Sequence, residues 1–378
     1  MAEKKQKQKK QKSLRYFDYN LLFLIVFLLC FGLVMLYSTS SYVAFRDHDG
    51  NAMHFVESQL KAIGIGLIGM LFFTFVPYQF WMKFSLAGYI IGFGLCLAVN
   101  FLGAEAGGQS RWFVIGGVNF QPSEIGKAAI ILFLATAIYK TPKQFESGKH
   151  VINIAIRVVP MFIAILVNNL STAIIIAGIA FCMLFVATPK SRYYVITGGV
   201  VAALAWIVIM LAKSGAEGGY RLERIKIWLD PESYDKGYQT LQGLYAIGSG
   251  GLFGKGLGES MQKLGFIPEA QNDMIFSVIC EELGLFGAVC VIIVFILVIW
   301  RMMVIANNAQ DLFGAMLVVG VMAHLAIQVI MNIAVVTNTM PNTGVSLPFI
   351  SYGGTSLCIL LGEMGWVFSV ARGIKIEE

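Results

Sequence analysis

Apolar runs long enough to cross a lipid bilayer recur from one end of this chain to the other, and no arrangement in water could bury them all. A helix rising 1.5 Å per residue needs about 20 apolar residues to span the ~30 Å hydrocarbon core. Of the 378 residues 57% are hydrophobic and 13% charged, so a soluble fold is excluded, and the length is consumed by spans and short connections. The runs predict an all-α polytopic membrane protein of about ten transmembrane helices, near 18–40, 58–76, 82–102, 122–140, 151–167, 170–188, 193–212, 274–300, 312–336 and 353–371. One membrane domain, 18–372, then carries a basic tail at 1–17 and a short tail at 373–378.

Charge sets the expected orientation, because cytoplasmic connections collect lysine and arginine. Lys4, Lys5, Lys7, Lys9, Lys10, Lys12 and Arg15 precede the first span and read as a cytoplasmic anchor touching anionic lipid rather than as a nucleic-acid arm. Lys83, Lys140, Lys143, Lys149, Lys190, Arg192, Arg301, Arg372 and Lys375 fall on that same side, against Arg46 and Arg111 on the other short connections. Both termini are therefore expected in the cytoplasm. The run from Leu21 to Leu36 lacks an A-x-A site and reads as a span, not a cleaved signal. Cys30, Cys96, Cys182, Cys280, Cys290 and Cys358 form no C-x-x-C pair, and His48, His54, His150 and His324 show no ligand spacing, so neither disulfides nor zinc is expected.

The largest connection, about 213–272, falls outside between spans seven and eight, and loops of that size are usually functional. Its stretch Tyr220-Arg221-Leu222-Glu223-Arg224-Ile225-Lys226-Ile227-Trp228 predicts an amphipathic helix at the membrane surface. Arg221 and Arg224 share a face there, to meet phosphate groups or to pair with Glu223, Asp230, Glu232 and Asp235; the residues leave both open. The glycine run Gly248 to Gly258 is not a nucleotide loop, since Ser249 and Gly256 stand where a P-loop needs Gly and Ser or Thr. A bend dipping toward the bilayer is expected instead.

Asp273 follows at the mouth of the eighth span, as a helix cap or as a reactive carboxylate. Glu281 and Glu282 lie inside the apolar run, where at least one must face a polar interior or a cation. In the fourth span Glu124 and Lys127 share a face and are expected to neutralise each other. Arg111-Trp112 precedes them at the outer interface, and Gln121-Pro122-Ser123 leads into the first turn. His324, Gln328 and Asn332 form a polar stripe on the ninth span, for interhelical hydrogen bonds or for lining a groove.

Three blocks combine these residues. The first is Gly108-Gln109-Ser110-Arg111-Trp112 continuing to Gln121-Pro122-Ser123-Glu124-Ile125-Gly126-Lys127. The second runs from Tyr238-Gln239 through Gly254-Lys255-Gly256-Leu257-Gly258, Gln262-Lys263-Leu264 and Pro268-Glu269-Ala270 to Asp273 and Glu281-Glu282-Leu283-Gly284. The third is Pro341-Asn342-Thr343-Gly344-Val345-Ser346-Leu347-Pro348-Phe349-Ile350-Ser351-Tyr352-Gly353-Gly354. In this order and spacing they resemble the SEDS family (shape, elongation, division and sporulation) of lipid-linked peptidoglycan glycosyltransferases. They are more like its division and sporulation branch (FtsW and SpoVE) than its elongation branch (RodA). The chain departs at Asn168-Asn169-Leu170-Ser171-Thr172, where the family usually has Pro-Asp-x-Gly-Thr. The family's Thr-Asp-Phe-Ile-Phe stands as Asn272-Asp273-Met274-Ile275-Phe276 and keeps its carboxylate.

The resemblance implies an enzyme of the bacterial cytoplasmic (inner) membrane with an extracytoplasmic active site, joining lipid II units in cell division. A sugar hydroxyl of the acceptor attacks the anomeric carbon of a donor whose leaving group is polyprenyl pyrophosphate. Asp273 is implied as general base, with Arg111, Gln121, Glu124, Lys127, Arg221, Arg224, Lys263, Glu269, Ser351 and Tyr352 as substrate-binding residues. Arg111, Arg221, Arg224 and Lys263, or a divalent cation such as Mg or Mn, would stabilise the pyrophosphate; no other cofactor is implied. Implied partners are lipid II, the polyprenyl-pyrophosphate-linked glycan, a class B penicillin-binding protein (transpeptidase) and other division proteins. Polar residues at depth keep two rivals open: a flippase of the lipid-linked precursor and a non-catalytic scaffold of a division complex.

Overall fold

The computed structural model describes residues 16–106, 109–115, 118–189 and 220–374, with isolated positions between 190 and 219. In chain order its helices are α1 (Tyr19–Asp47), α2 (His54–Phe75), α3 (Tyr78–Met82), α4 (Ser85–Leu102), α5 (Pro122–Lys140), α6 (Gly148–Leu166), α7 (Leu170–Ala187), α8 (Tyr220–Leu229), α9 (Tyr238–Gly250), α10 (Ile275–Asn307), α11 (Leu312–Val336) and α12 (Gly354–Gly373). Among the described residues nine of these are long and apolar enough to cross a membrane, all but α3, α8 and α9. The expected seventh span at 193–212 lies outside the described residues, as do nearly all of the 1–17 tail and residues 375–378.

Two expected spans, 122–140 and 312–336, coincide with α5 and α11, while α1 and α10 run on to 29 and 33 residues. Their extra turns, residues 41–47 and 301–307, carry the charges Arg46, Asp47 and Arg301, at which an apolar-run reading stops although the helix does not. The α4–α5 connection holds something the all-helical expectation lacked, a small antiparallel sheet of β1 (Ala104–Ala106), β2 (Gln109–Ile115) and β3 (Val118–Phe120). Glu105 pairs with Ser110 and Phe113 with Phe120. Gly107-Gly108 and Gly116-Gly117 separate these short runs, a hairpin signal in the sequence that the search for spans passes over.

Helices α5, α11 and α12 bury most of their surface and form the inside of the bundle, whereas α2, α4 and α6 bury much less. On α2, Ile65, Ile68, Phe72 and Phe75 are each more than half exposed, a belt that suits lipid and not water. Small residues let an inner helix approach an outer one: a Cβ on Gly365 of α12 would sit 2.5 Å from the Met70 carbonyl of α2.

One end of the bundle is locked by capped acids. Asp18 Oδ1 accepts the Leu21 N–H at 2.9 Å to cap α1, while Oδ2 pairs with Arg301 of α10 at 2.6 Å. Asp311 caps α11 through the Gly314 N–H at 2.7 Å and accepts the Tyr78 hydroxyl at 2.9 Å. The opposite end, where α1–α2, α4–α5, α6–α7 and α11–α12 connect, gathers the three sequence blocks.

Candidate active site

The second block is built around a break in α10. Gly284 has φ 68° and ψ −170°, so the helix cannot make its own bonds across that turn. Each bond lost is replaced at both ends by the glycine run. Lys255 N–H and Gly256 N–H donate to the Glu281 and Glu282 carbonyls at 2.9 and 3.0 Å, and Leu285 N–H and Phe286 N–H donate to the Gly251 and Leu252 carbonyls at 2.9 and 3.0 Å. Backbone this close leaves no room for side chains, and a Cβ on Gly254 would overlap the Glu282 carbonyl. The bend expected to dip toward the bilayer is thus a clasp that satisfies broken-helix backbone inside the protein.

The same clasp neutralises both carboxylates at the break. Glu281 pairs with Lys255 Nζ at 2.6 Å and accepts the Ser260 hydroxyl. Glu282 pairs with Lys263 Nζ at 2.8 Å and accepts the Ser38 hydroxyl of α1 at 2.7 Å. Lys263 also donates to Ser38 Oγ at 2.9 Å and to the Gly258 carbonyl at 2.7 Å, so its three ammonium protons are all engaged within a buried site. These contacts favour Lys263 as a structural cation over the implied phosphate contact, because Glu282 buried without it would be a stranded charge.

Asp273 stands just before α10 and does not cap it; the cap position is Met274, with no side-chain bond. Asn332 of α11 donates through Nδ2 both to the Asp273 carbonyl at 2.8 Å and to the Val345 carbonyl at 2.7 Å, pinning second and third blocks together. Tyr352 N–H donates to the Gln271 carbonyl at 3.0 Å. Gln59 of α2 holds the far side of the third block, donating to the Ser351 carbonyl at 3.0 Å and accepting the Gly353 N–H at 3.2 Å. The carboxylate itself is reached by Gln239, whose Nε2 lies 3.4 Å from Oδ1. Burial pushes the Asp273 carboxyl up to about 6 and the nearby Glu269 carboxylate adds to the push, while its own backbone N–H, the Arg224 guanidinium and the Gln239 amide pull back.

The other implied residues divide. Arg224 donates to the Asn342 carbonyl at 3.2 Å and acts on Asp273 electrostatically, and Trp228 Nε1 fastens the same helix to the Asn338 carbonyl at 2.9 Å. The side chain of Arg221 lies outside the described residues. Glu269, exposed and at φ 49°, accepts Asn272 Nδ2 at 3.0 Å. Tyr352 meets the Phe55 ring edge-on at 5.2 Å, but Ser351 is buried and spends its hydroxyl oxygen on the Leu347 N–H at 2.8 Å. Arg111 goes to the α6–α7 connection, donating to the Asn168 carbonyl at 2.8 Å. Gln121 is the residue preceding α5, and Glu124 and Lys127 form a buried pair at 2.9 Å, as their spacing predicts. The α11 stripe is used for bonding between elements: besides Asn332, His324 meets Glu363 at 2.7 Å and Gln328 donates to the Ser346 carbonyl at 3.3 Å.

Where the chain departs from the family pattern, Asn169 caps α7 through the Thr172 N–H at 3.0 Å and Asn168 donates to Asn100 at 2.7 Å, so these positions serve as caps and ties. Among the described residues no three His, Cys, Asp or Glu side chains converge as a divalent-cation site. Gln239, Asn342 and Gln59 are the site residues that sequence reasoning gave no role. A neutral amide carries no charge pattern, and Gln59 sits in the polar stretch Glu57-Ser58-Gln59-Leu60-Lys61, where nothing singles it out.

Over residues 19–376 the sequence matches the cell cycle protein family that groups FtsW, RodA and SpoVE. The chain belongs to this family. A probable peptidoglycan glycosyltransferase FtsW from Trichlorobacter lovleyi is 36% identical, the match covering 97% of this chain and 96% of that protein. Stage V sporulation protein E of Bacillus subtilis is also 36% identical, over 94% of this chain and 97% of its own length. Among solved structures, one described as "Structural coordination of polymerization and crosslinking by a peptidoglycan synthase complex" superposes with a TM-score of 0.78 at 27% identity, covering 94% of this chain and 98% of that one.

Proposed function

We propose that this member of the FtsW/RodA/SpoVE family is a peptidoglycan glycosyltransferase that joins lipid II units on the outer face of the cytoplasmic membrane, with Asp273 as general base. The observation that carries the reading is the convergence of distant segments around Asp273 at the junction of span and loop: Gln239 on its carboxylate, Asn332 on its backbone carbonyl, Asn342 on Gln239, and Gly344 beside Oδ2. That depth suits a substrate with its tail in lipid and its sugars in water. Relatives named as peptidoglycan glycosyltransferases support the enzyme class.

In the proposed step the acceptor hydroxyl gives its proton to Asp273 as its oxygen bonds to the donor's anomeric carbon. The bond from that carbon to the pyrophosphate oxygen breaks, and polyprenyl pyrophosphate leaves with the electron pair. A positioned base typically contributes about 100- to 10,000-fold. Arg224, the described guanidinium acting on Asp273, is the candidate to stabilise charge growing on the pyrophosphate, with Arg221 and Arg111 as further candidates. Lys83, Lys140, Lys143, Lys149, Arg301 and Arg372 cluster toward the opposite end of the bundle, which supports both termini inside and Asp273 outside. A transpeptidase of the class B penicillin-binding type is the proposed partner, consistent with the synthase complex among the structural neighbours.

Vesicles containing purified protein and labelled lipid II test the reading. A polymerase makes glycan strands; strandless transfer of label across the bilayer would make the protein a flippase, and neither activity would leave a scaffold.

A further inference from the structure

Asp273 has two carboxylate oxygens, and the groups around them are not equivalent. Gln239, the second residue of α9, presents an amide to Oδ1, and an amide can offer either an N–H donor or a carbonyl oxygen. Only the donor suits an ionised carboxylate. What decides the orientation lies two residues further along a chain of bonds. The Gly344 N–H donates to Asn342 Oδ1 at 3.1 Å, which closes a tight turn and leaves only Asn342 Nδ2 to face Gln239. Nδ2 donates to Gln239 Oε1 at 2.9 Å. The Gln239 oxygen is thereby taken, and its Nε2 is left for the Pro268 carbonyl at 3.1 Å and Asp273 Oδ1 at 3.4 Å. The Gln239 bond goes to Oδ1, and Oδ2 faces Gly344, φ 67°, where even a Cβ would come no nearer than 3.9 Å.

We infer that Gln239 is a positioning residue for the reaction: a polarised relay running from the Gly344 N–H through Asn342 to Gln239 fixes a donor on Oδ1 of Asp273 and leaves Oδ2 to take the acceptor's proton. The relay also reaches the charge sink, because the Asn342 carbonyl accepts from Arg224. The inference rests on the reading of Asp273 as base.

Removing a donor from the charged form of a carboxylate raises its pKa, and placing a second carboxylate beside it raises it further. The test is the pH profile of kcat for strand synthesis in vesicles between about pH 5 and 9, with KM for lipid II read alongside. Gln239→Glu should move the acid limb upward by roughly one unit or more. Gln239→Met, nearly isosteric and uncharged, should move it upward by less, with kcat at about pH 6 reduced roughly two- to fivefold and KM unchanged; it decides the matter if the added charge prevents insertion. An acid limb unmoved in the inserted variants, or a loss confined to KM, overturns the role of Gln239. Near-normal synthesis by Asp273→Asn would instead overturn the base assignment itself, so the two failures are distinguishable.

Discussion

Asp273 holds its proton to a higher pH than an ordinary aspartate because the fold strips most of the water from it and sets Glu269 nearby, against weaker help from its own backbone N–H, Arg224 and Gln239. Its carboxyl is pushed up from 3.8 to about 6, so the basic form is the majority only above that pH, and activity should fall as pH drops through about 6. A pH–rate profile checks this; a limb near pH 4 would show an unperturbed carboxylate. The sign for stability is opposite. A raised folded-state pKa means stability present below the unfolded value and lost as pH rises through the folded one, so Asp273→Asn should stabilise the protein at about pH 8 by on the order of 2 kcal/mol and have little effect near pH 4. Thermal midpoints in detergent at the two pH values read the difference. The carboxylate was legible from its motif. Its amide partners were not, because Gln239 and Asn342 lie 103 residues apart and neither type nor spacing announces the bond.

The element that shapes the site is α10 with its glycine clasp. Gly284 adopts a conformation that L side chains rarely take, and a Cβ there would strike the Leu252 carbonyl, which is backbone and cannot yield. Gly284→Ala should therefore cost more than about 2 kcal/mol, seen as loss of monodisperse detergent-extracted protein. Lys263 gives the sharper contrast. As a partner of Glu282 and Ser38 its replacement by Met should destabilise by about 3–5 kcal/mol, and adding Glu282→Gln should recover much of the loss, since no charge is then stranded. Normal stability with a raised KM for lipid II would restore it to phosphate binding. From sequence, a lysine ten residues before Asp273 looks like a phosphate ligand. Its carboxylate partner lies 19 residues on, beyond a glycine run whose path only the packing against α10 reveals.

At the scale of the whole molecule, hydrophobic run length is a strong signal, and the nine described membrane helices fall where those runs predict, with α5 and α11 matched to the residue. Length says nothing of which helices lie inside. That depends on small residues such as Gly365 and on polar ties such as Asn332, which act only once neighbours are chosen. The bundle places the three sequence blocks at one end and the helix-capping acids Asp18 and Asp311 at the other, and on the proposed function a substrate held in the bilayer would meet Asp273 at that first end. The most direct test is the yield of glycan strands from purified wild-type protein and Asp273→Asn inserted equally in lipid II vesicles. The predicted result is strands from wild type and at least about 100-fold fewer from the variant; comparable yields from the two would contradict the account.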